Sequence, residues 1–175
     1  DKQMKNKKSD GVFIGARNVS NKDSPNENAR NRLWWEHMPM TYKNWEEKDR
    51  QLESIEDFNN AEAVLLSNSP FLRKQYDFSA YAGKKVLDLG CGSGVLSVVL
   101  AKNGAKVTAA DLTENATKMT QRNAKLQKLS INVVRTDAEN LAFADNSFDY
   151  VLSWGVLHHT ENTERAFAEV SRALK

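Results

Sequence analysis

The stretch Val86-Leu87-Asp88-Leu89-Gly90-Cys91-Gly92-Ser93-Gly94 governs how the rest of the chain is read. Lys85-Val86-Leu87-Asp88-Leu89 is a short, leucine-rich and β-branched run of the kind that forms a buried parallel strand. Three glycines in the next five residues let the backbone turn sharply out of that strand and leave space where a side chain would block a ligand. Residues 95–102 then read as an apolar helix, stopped by Asn103-Gly104. The start of this helix is expected to present unpaired N–H groups to whatever lies over the turn.

Working outward, residues 106–110 read as a second strand ending at Asp111, and Thr113 can cap a helix running to about Lys128 with Ala116, Met119, Leu126 and Leu129 on one side. Strands are expected over 131–135 and 148–153. A last helix over 163–174 is expected to turn Phe167, Val170 and Leu174 inward. This alternation describes an α/β fold, a doubly wound, Rossmann-like parallel sheet with helices on both faces and right-handed crossovers. A fourth strand of such a sheet wants a further neighbour, so the sheet is expected to continue outside these 175 residues.

The front of the chain differs. Residues 1–28 are rich in Lys, Asn, Ser and Asp and read as a mobile polar leader. Residues 29–80 read as a helical, aromatic-rich cap or lid. Trp34, Trp35 and Trp45 fall within 15 residues there, and rings of that size must cover something. Residues 81–175 form the α/β domain. The composition, 40% hydrophobic and 27% charged with net charge +2, is that of an ordinary globular protein and asks for no polyanionic partner. The single cysteine, Cys91, suits a reducing compartment, and no apolar run approaches the roughly 20 residues of a membrane span, so a cytoplasmic protein is expected.

The glycine turn calls for a nucleoside-containing cofactor. Asp111, at the tip of the second strand, has the carboxylate needed to accept both hydroxyls of a ribose. A dinucleotide fingerprint places its third glycine one residue later than Gly94, and no Lys-Ser or Lys-Thr follows as a phosphate loop requires. No Ser–His or Cys–His arrangement supports a covalent nucleophile, and no ligand spacing supports a metal. A nicotinamide oxidoreductase, a noncatalytic cofactor-binding module and a nucleic-acid enzyme remain as alternatives.

Taken together, the 86–94 stretch, the Asp111 strand end, Asp137-Ala138-Glu139-Asn140-Leu141-Ala142-Phe143 with Ser147-Phe148-Asp149, and Trp154-Gly155-Val156-Leu157-His158-His159 resemble the four successive motifs of class I S-adenosylmethionine-dependent methyltransferases. The resemblance is to the small-molecule branch that includes the ubiquinone and menaquinone biosynthesis enzymes, and it covers about residues 80–175. It implies S-adenosyl-L-methionine as cofactor, S-adenosyl-L-homocysteine as product and a small-molecule methyl acceptor, with no nucleic-acid partner. It also implies that Gly90, Cys91, Gly92 and Gly94 lie against the methionine and ribose portions, with Asp88 near the amino-acid end. Asp111 would hold the ribose, Leu112 the adenine face, and Asp137 with the Ala138 backbone the adenine amino group. Ser153 and Trp154 would border the reacting methyl.

Displacement at a sulfonium needs alignment and dryness more than a covalent residue. His158, beside His159 just past the fourth strand, is the candidate proton acceptor. Tyr42 is the cap residue expected to approach the cofactor, where a ring would stabilise a cationic sulfur.

Overall fold

The computed structural model describes residues 27–38, 40–42 and 52–175. The leader expected over 1–28 lies outside them except for its last two residues, which begin a helix, and Trp45 also lies outside. The cap is helical: α1 (Glu27–His37), α2 (Ile55–Asn68) and α3 (Pro70–Gln75). Helix α2 starts where Ser54 and Asp57 satisfy each other's backbone, the Asp57 N–H donating to Ser54 Oγ at 3.1 Å and the Ser54 N–H to the Asp57 carboxylate at 3.0 Å. It stops at Ser69, and Pro70 opens α3 in the first turn, where its missing N–H costs nothing.

The body runs β1 (Lys85–Leu89), α4 (Val95–Lys102), β2 (Lys106–Asp111), α5 (Glu114–Leu126), β3 (Asn132–Arg135), β4 (Tyr150–Leu152) and α6 (Thr163–Ala173). All pairings are parallel and the strand order is β3-β2-β1-β4. The chain therefore steps outward from β1 to β3 and then returns to the other side of β1 with β4. Such a reversal is where an open α/β sheet places its ligand crevice, here at the carboxyl ends of β1 and β4.

Leu52, Phe58, Ala61, Leu65, Leu66 and Leu72 of the cap share one buried cluster with Val95 and Leu96 of α4. A second cluster joins Leu87, Leu89 and Ala110 of the sheet to Ala138, Leu141, Phe148 and the α6 residues Ala166 and Ala173.

Two expectations are corrected here. Phe167 is 57% exposed, because α6 meets the sheet through Ala166 and Ala173, seven residues apart on one face, and small side chains let the helix sit close. Leu174, only half-buried, caps the helix. The strand expected over 148–153 is shorter, since Phe148 is drawn into a bridge with Leu174 and the Asp149 carboxylate accepts the Lys85 N–H at 2.7 Å.

Candidate functional site

The three glycines of the turn share a left-handed backbone, with φ of 81°, 54° and 75° at Gly90, Gly92 and Gly94, but each is glycine for a different reason. A Cβ on Gly90 would overlap the side chain of Val156, from the turn after β4. A Cβ on Gly94 would sit 2.8 Å from Thr120 Oγ1 and 3.0 Å from the Thr120 Cα, so this glycine lets α4 and α5 close on each other. At Gly92 the nearest atoms would be 3.9 Å away, in Met40 of the segment that leaves α1. The space expected for a ligand at all three positions is thus filled by protein at two of them, while at Gly92 a side chain would meet only ordinary contact with Met40.

The turn is also less rich in free donors than its sequence suggests. The N–H groups of Gly90 and Cys91 both donate to the Ala110 carbonyl, at 2.7 and 3.0 Å, and that of Gly94 to the Cys91 carbonyl at 2.8 Å. Gly92 N–H donates to Asp111 Oδ2 at 3.0 Å. The start of α4 is served from within as well: Ser97 donates to Asp88 through its hydroxyl at 2.5 Å and through its backbone N–H. Asp88 is therefore a buried cap on α4, an acceptor at the positive end of a helix.

From the other side α5 braces the turn. Thr120 Oγ1 donates to the Gly92 carbonyl at 3.0 Å and Asn123 Nδ2 to the Ser93 carbonyl at 3.2 Å. Thr120 also lies 3.3 Å from Cys91 Sγ, so the Cys91 side chain points into the α4–α5 packing and only its backbone borders the turn. Ser93 Oγ and Asn123 Oδ1 are buried without a hydrogen-bond partner, a polar cost that packing must offset.

The electrostatics are one-sided. Burial pushes the Asp88 carboxyl up to about 6 against the hydrogen bond from Ser97, and the negative charge of Asp111 adds to the rise. Burial likewise raises Asp111, opposed by hydrogen bonds from Thr113 and Gly92. The Cys91 thiol is pushed up by burial and by both carboxylates, which leaves it inert as a nucleophile. The charges raising Asp88 and Cys91 are those of neighbouring carboxylates.

Tyr42 reaches this region. Its ring packs on the cluster shared by the cap and α4, and burial with the nearby Asp88 charge pushes its phenol up to about 12, so it stays a neutral donor. Its backbone, at φ 61°, is left-handed, a cost of about 1–2 kcal/mol for a side chain with a Cβ.

The remaining expected residues surround this centre. Ser153 Oγ donates to the Leu89 carbonyl at 3.0 Å, fixing the end of β4 beside that of β1. Trp154 packs on Phe71 of α3, ring centres 5.3 Å apart, and joins the cap to the mouth of the crevice. Leu112 follows Asp111, and its carbonyl accepts Arg135 Nε at 3.1 Å. Asp137 lies at the end of β3, its carboxylate accepting the Glu139 N–H at 2.9 Å, while the Ala138 side chain is in the core. His158 is exposed, and its ring contact is with His159 at 4.0 Å rather than with any residue of the turn.

Sequence reasoning missed Ser97, Thr120, Asn123, Val156 and Met40. The first three had a signal, polar residues on otherwise apolar helix faces. Among the described residues no group of three or more His, Cys, Asp or Glu is placed to hold a metal, and no helix is long and apolar enough to cross a membrane.

Comparison with known proteins points to the same fold. The chain is similar to a ubiquinone biosynthesis O-methyltransferase of Bartonella bacilliformis, 26% identical over 143 residues, covering 80% of this chain and 58% of that protein. It is 37% identical over 93 residues to one of Coxiella burnetii, covering 53% of this chain and 40% of that protein. It thus spans about half the length of the curated relatives it matches. Among solved structures, an S-adenosylmethionine dependent methyltransferase from Mesorhizobium loti superposes with a TM-score of 0.54 at 28% identity, covering 67% of this chain and 51% of that one. The family profile described as the methyltransferase domain matches residues 87–175, from the middle of β1 through the glycine turn and all four strand ends. With sheet order, glycine turn and acidic strand tips falling inside that match, the chain belongs to the methyltransferase-domain family.

Proposed function

We propose that the crevice binds S-adenosylmethionine and that the protein of which these residues form part transfers its methyl group to a small-molecule acceptor. The observation carrying this reading is the pairing of Gly92, the turn glycine whose added Cβ would meet only ordinary contact, with the Asp111 carboxylate hydrogen-bonded to that same residue and the Asp88 carboxylate close by. Such a site favours a ligand bearing an ammonium and a sulfonium, and disfavours the pyrophosphate of a nicotinamide dinucleotide by like-charge repulsion. Asp111 Oδ1 accepts both the N–H and the hydroxyl of Thr113, whereas Oδ2 accepts only the Gly92 N–H and keeps a lone pair for a ribose hydroxyl.

The cofactor would supply an activated methyl on a good leaving group. The chain's own residues then orient and exclude water. Gly92 gives close backbone approach, Asp111 with Leu112 holds the sugar side, and Asp137 with the Ala138 backbone takes the base. Asp88 and Ser153 flank the amino-acid end. Tyr42 and Trp154 wall the site with apolar surface, Tyr42 keeping its proton and so acting as an orienting donor beside Asp88. His158, exposed in the turn after β4, is the candidate to take a proton from an acceptor hydroxyl arriving from solvent. The ubiquinone-biosynthesis relatives favour an oxygen acceptor on an apolar molecule.

Calorimetry tests the cofactor half. Saturable heat is expected with S-adenosylhomocysteine and none with NAD at matched concentration; tight NAD binding with no response to S-adenosylhomocysteine would overturn the reading.

A further inference from the structure

Among the described residues, helix α1 contributes none to the buried clusters, and its Leu33 and Trp34 are 53% and 58% exposed. Eleven residues of helix with so little burial are marginal in water. Among the described residues, two anchors tie α1 to the loops that follow β2 and β4. At one, the Glu36 carboxylate accepts the N–H groups of Glu114 at 3.0 Å and Asn115 at 2.9 Å, the first turn of α5, and Asn115 Nδ2 donates back to the Glu36 carbonyl at 3.1 Å. Thr113, the cap of α5, serves Ala116 instead, so Glu36 is a second cap supplied from another element. At the other, Asn31 Nδ2 donates to the His159 carbonyl at 2.5 Å and Trp35 meets the His159 ring edge-on at 5.3 Å.

These two anchors lie beyond the ends of β2 and β4, on either side of β1. Two strand spacings are about 10 Å, and the five residues from Asn31 to Glu36 rise about 7.5 Å, with side chains making up the difference. Helix α1 therefore spans the crevice, and the segment leaving it places Met40 opposite Gly92. Thr113, adjoining the N–H groups that Glu36 holds, also donates to Asp111 through its hydroxyl at 2.9 Å. The anchor and the proposed ribose carboxylate thus share one loop.

We infer that α1 is a strap across the cofactor crevice, latched by Glu36 on the start of α5, and that release of this latch controls cofactor exchange. The inference rests on the proposed cofactor position. Glu36 is a positioning residue, acting through α5 and the 111–113 loop.

The test uses S-adenosylhomocysteine as probe and follows its dissociation by stopped flow. Glu36→Ala should release it about tenfold faster than the wild type, consistent with loss of charge-assisted hydrogen bonds, with Glu36→Gln intermediate. Salt should speed release from the wild type more than from Glu36→Ala, because a carboxylate at a helix end is screened by ions; a merely structural role would not show that difference. In the ligand-free protein, amide exchange over 31–38 should accelerate in Glu36→Ala while the sheet amides keep their protection. Unchanged release and unchanged exchange in both variants would overturn the strap and leave the cofactor site standing. Failure of the wild type to bind the probe would instead remove the site, and the strap with it.

Discussion

Asp88 shows how one residue can be predicted for the right place and a different purpose. Its position after Val86 and Leu87 of β1, two before the first glycine, puts a carboxylate at a strand end, and that much is legible in the sequence. That it caps α4 through Ser97 is not, because the two residues are nine apart and meet only when the turn folds back. The consequence is a pH dependence of stability. With its carboxyl raised from 3.8 to about 6, Asp88 binds its proton more tightly folded than unfolded. Stability from this group is therefore fully present below about 4 and is lost as pH rises through about 6, an effect of at most about 3 kcal/mol. Asp88→Asn, which still accepts from Ser97, should gain on the wild type by up to about that amount between pH 4 and pH 8 in urea denaturation. A difference between the two proteins that stays constant over that range would show that the buried carboxylate is not what titrates.

Between elements, the glycine turn divides into parts that sequence can and cannot separate. Strand, turn and helix follow from apolar patterning and glycine content, and the α4 boundaries expected over 95–102 match those observed. Which glycine faces a ligand is decided by elements remote in sequence: Thr120 of α5 against Gly94, Val156 after β4 against Gly90, and Met40 from the cap opposite Gly92. The same remoteness explains Phe167, whose apolar character suggested burial while Ala166 and Ala173 set the face of α6. Two alanine substitutions distinguish these roles. Gly94→Ala combines a left-handed backbone with overlap on Thr120 and should cost about 2–5 kcal/mol of stability. Gly92→Ala meets only ordinary contacts and should cost about 1–2 kcal/mol from backbone strain, while losing S-adenosylhomocysteine affinity out of proportion. Denaturation paired with ligand titration reads both, and equal losses of stability and affinity in the two variants would contradict the assignment of Gly92 to the ligand.

The cap and the α/β body are distinct in sequence, one aromatic and helical, the other alternating strand and helix, yet their largest shared cluster crosses the boundary. Phe58, 1% exposed, packs with Val95 and Leu96 of the helix that the glycine turn initiates, and Trp154 from the end of β4 lies against the same group. A cap joined only by polar contacts would melt first and leave the sheet standing, whereas one sharing core with α4 must unfold along with it. Phe58→Ala, in the cap, should therefore lower the stability of the body by about 3–5 kcal/mol, a large share of the roughly 5–15 kcal/mol that holds a typical domain together. Thermal unfolding followed by far-ultraviolet circular dichroism and by tryptophan fluorescence should give one coincident transition in the wild type and in the variant. Two transitions, with sheet signal surviving the loss of the cap, would mean that the cluster does not couple them. Coupling of this kind gives the strap its fixed frame: α1 moves against α2, α3 and a body that act as one, and the latch at Glu36 reaches the glycine turn through the 111–113 loop, where Asp111 holds Gly92.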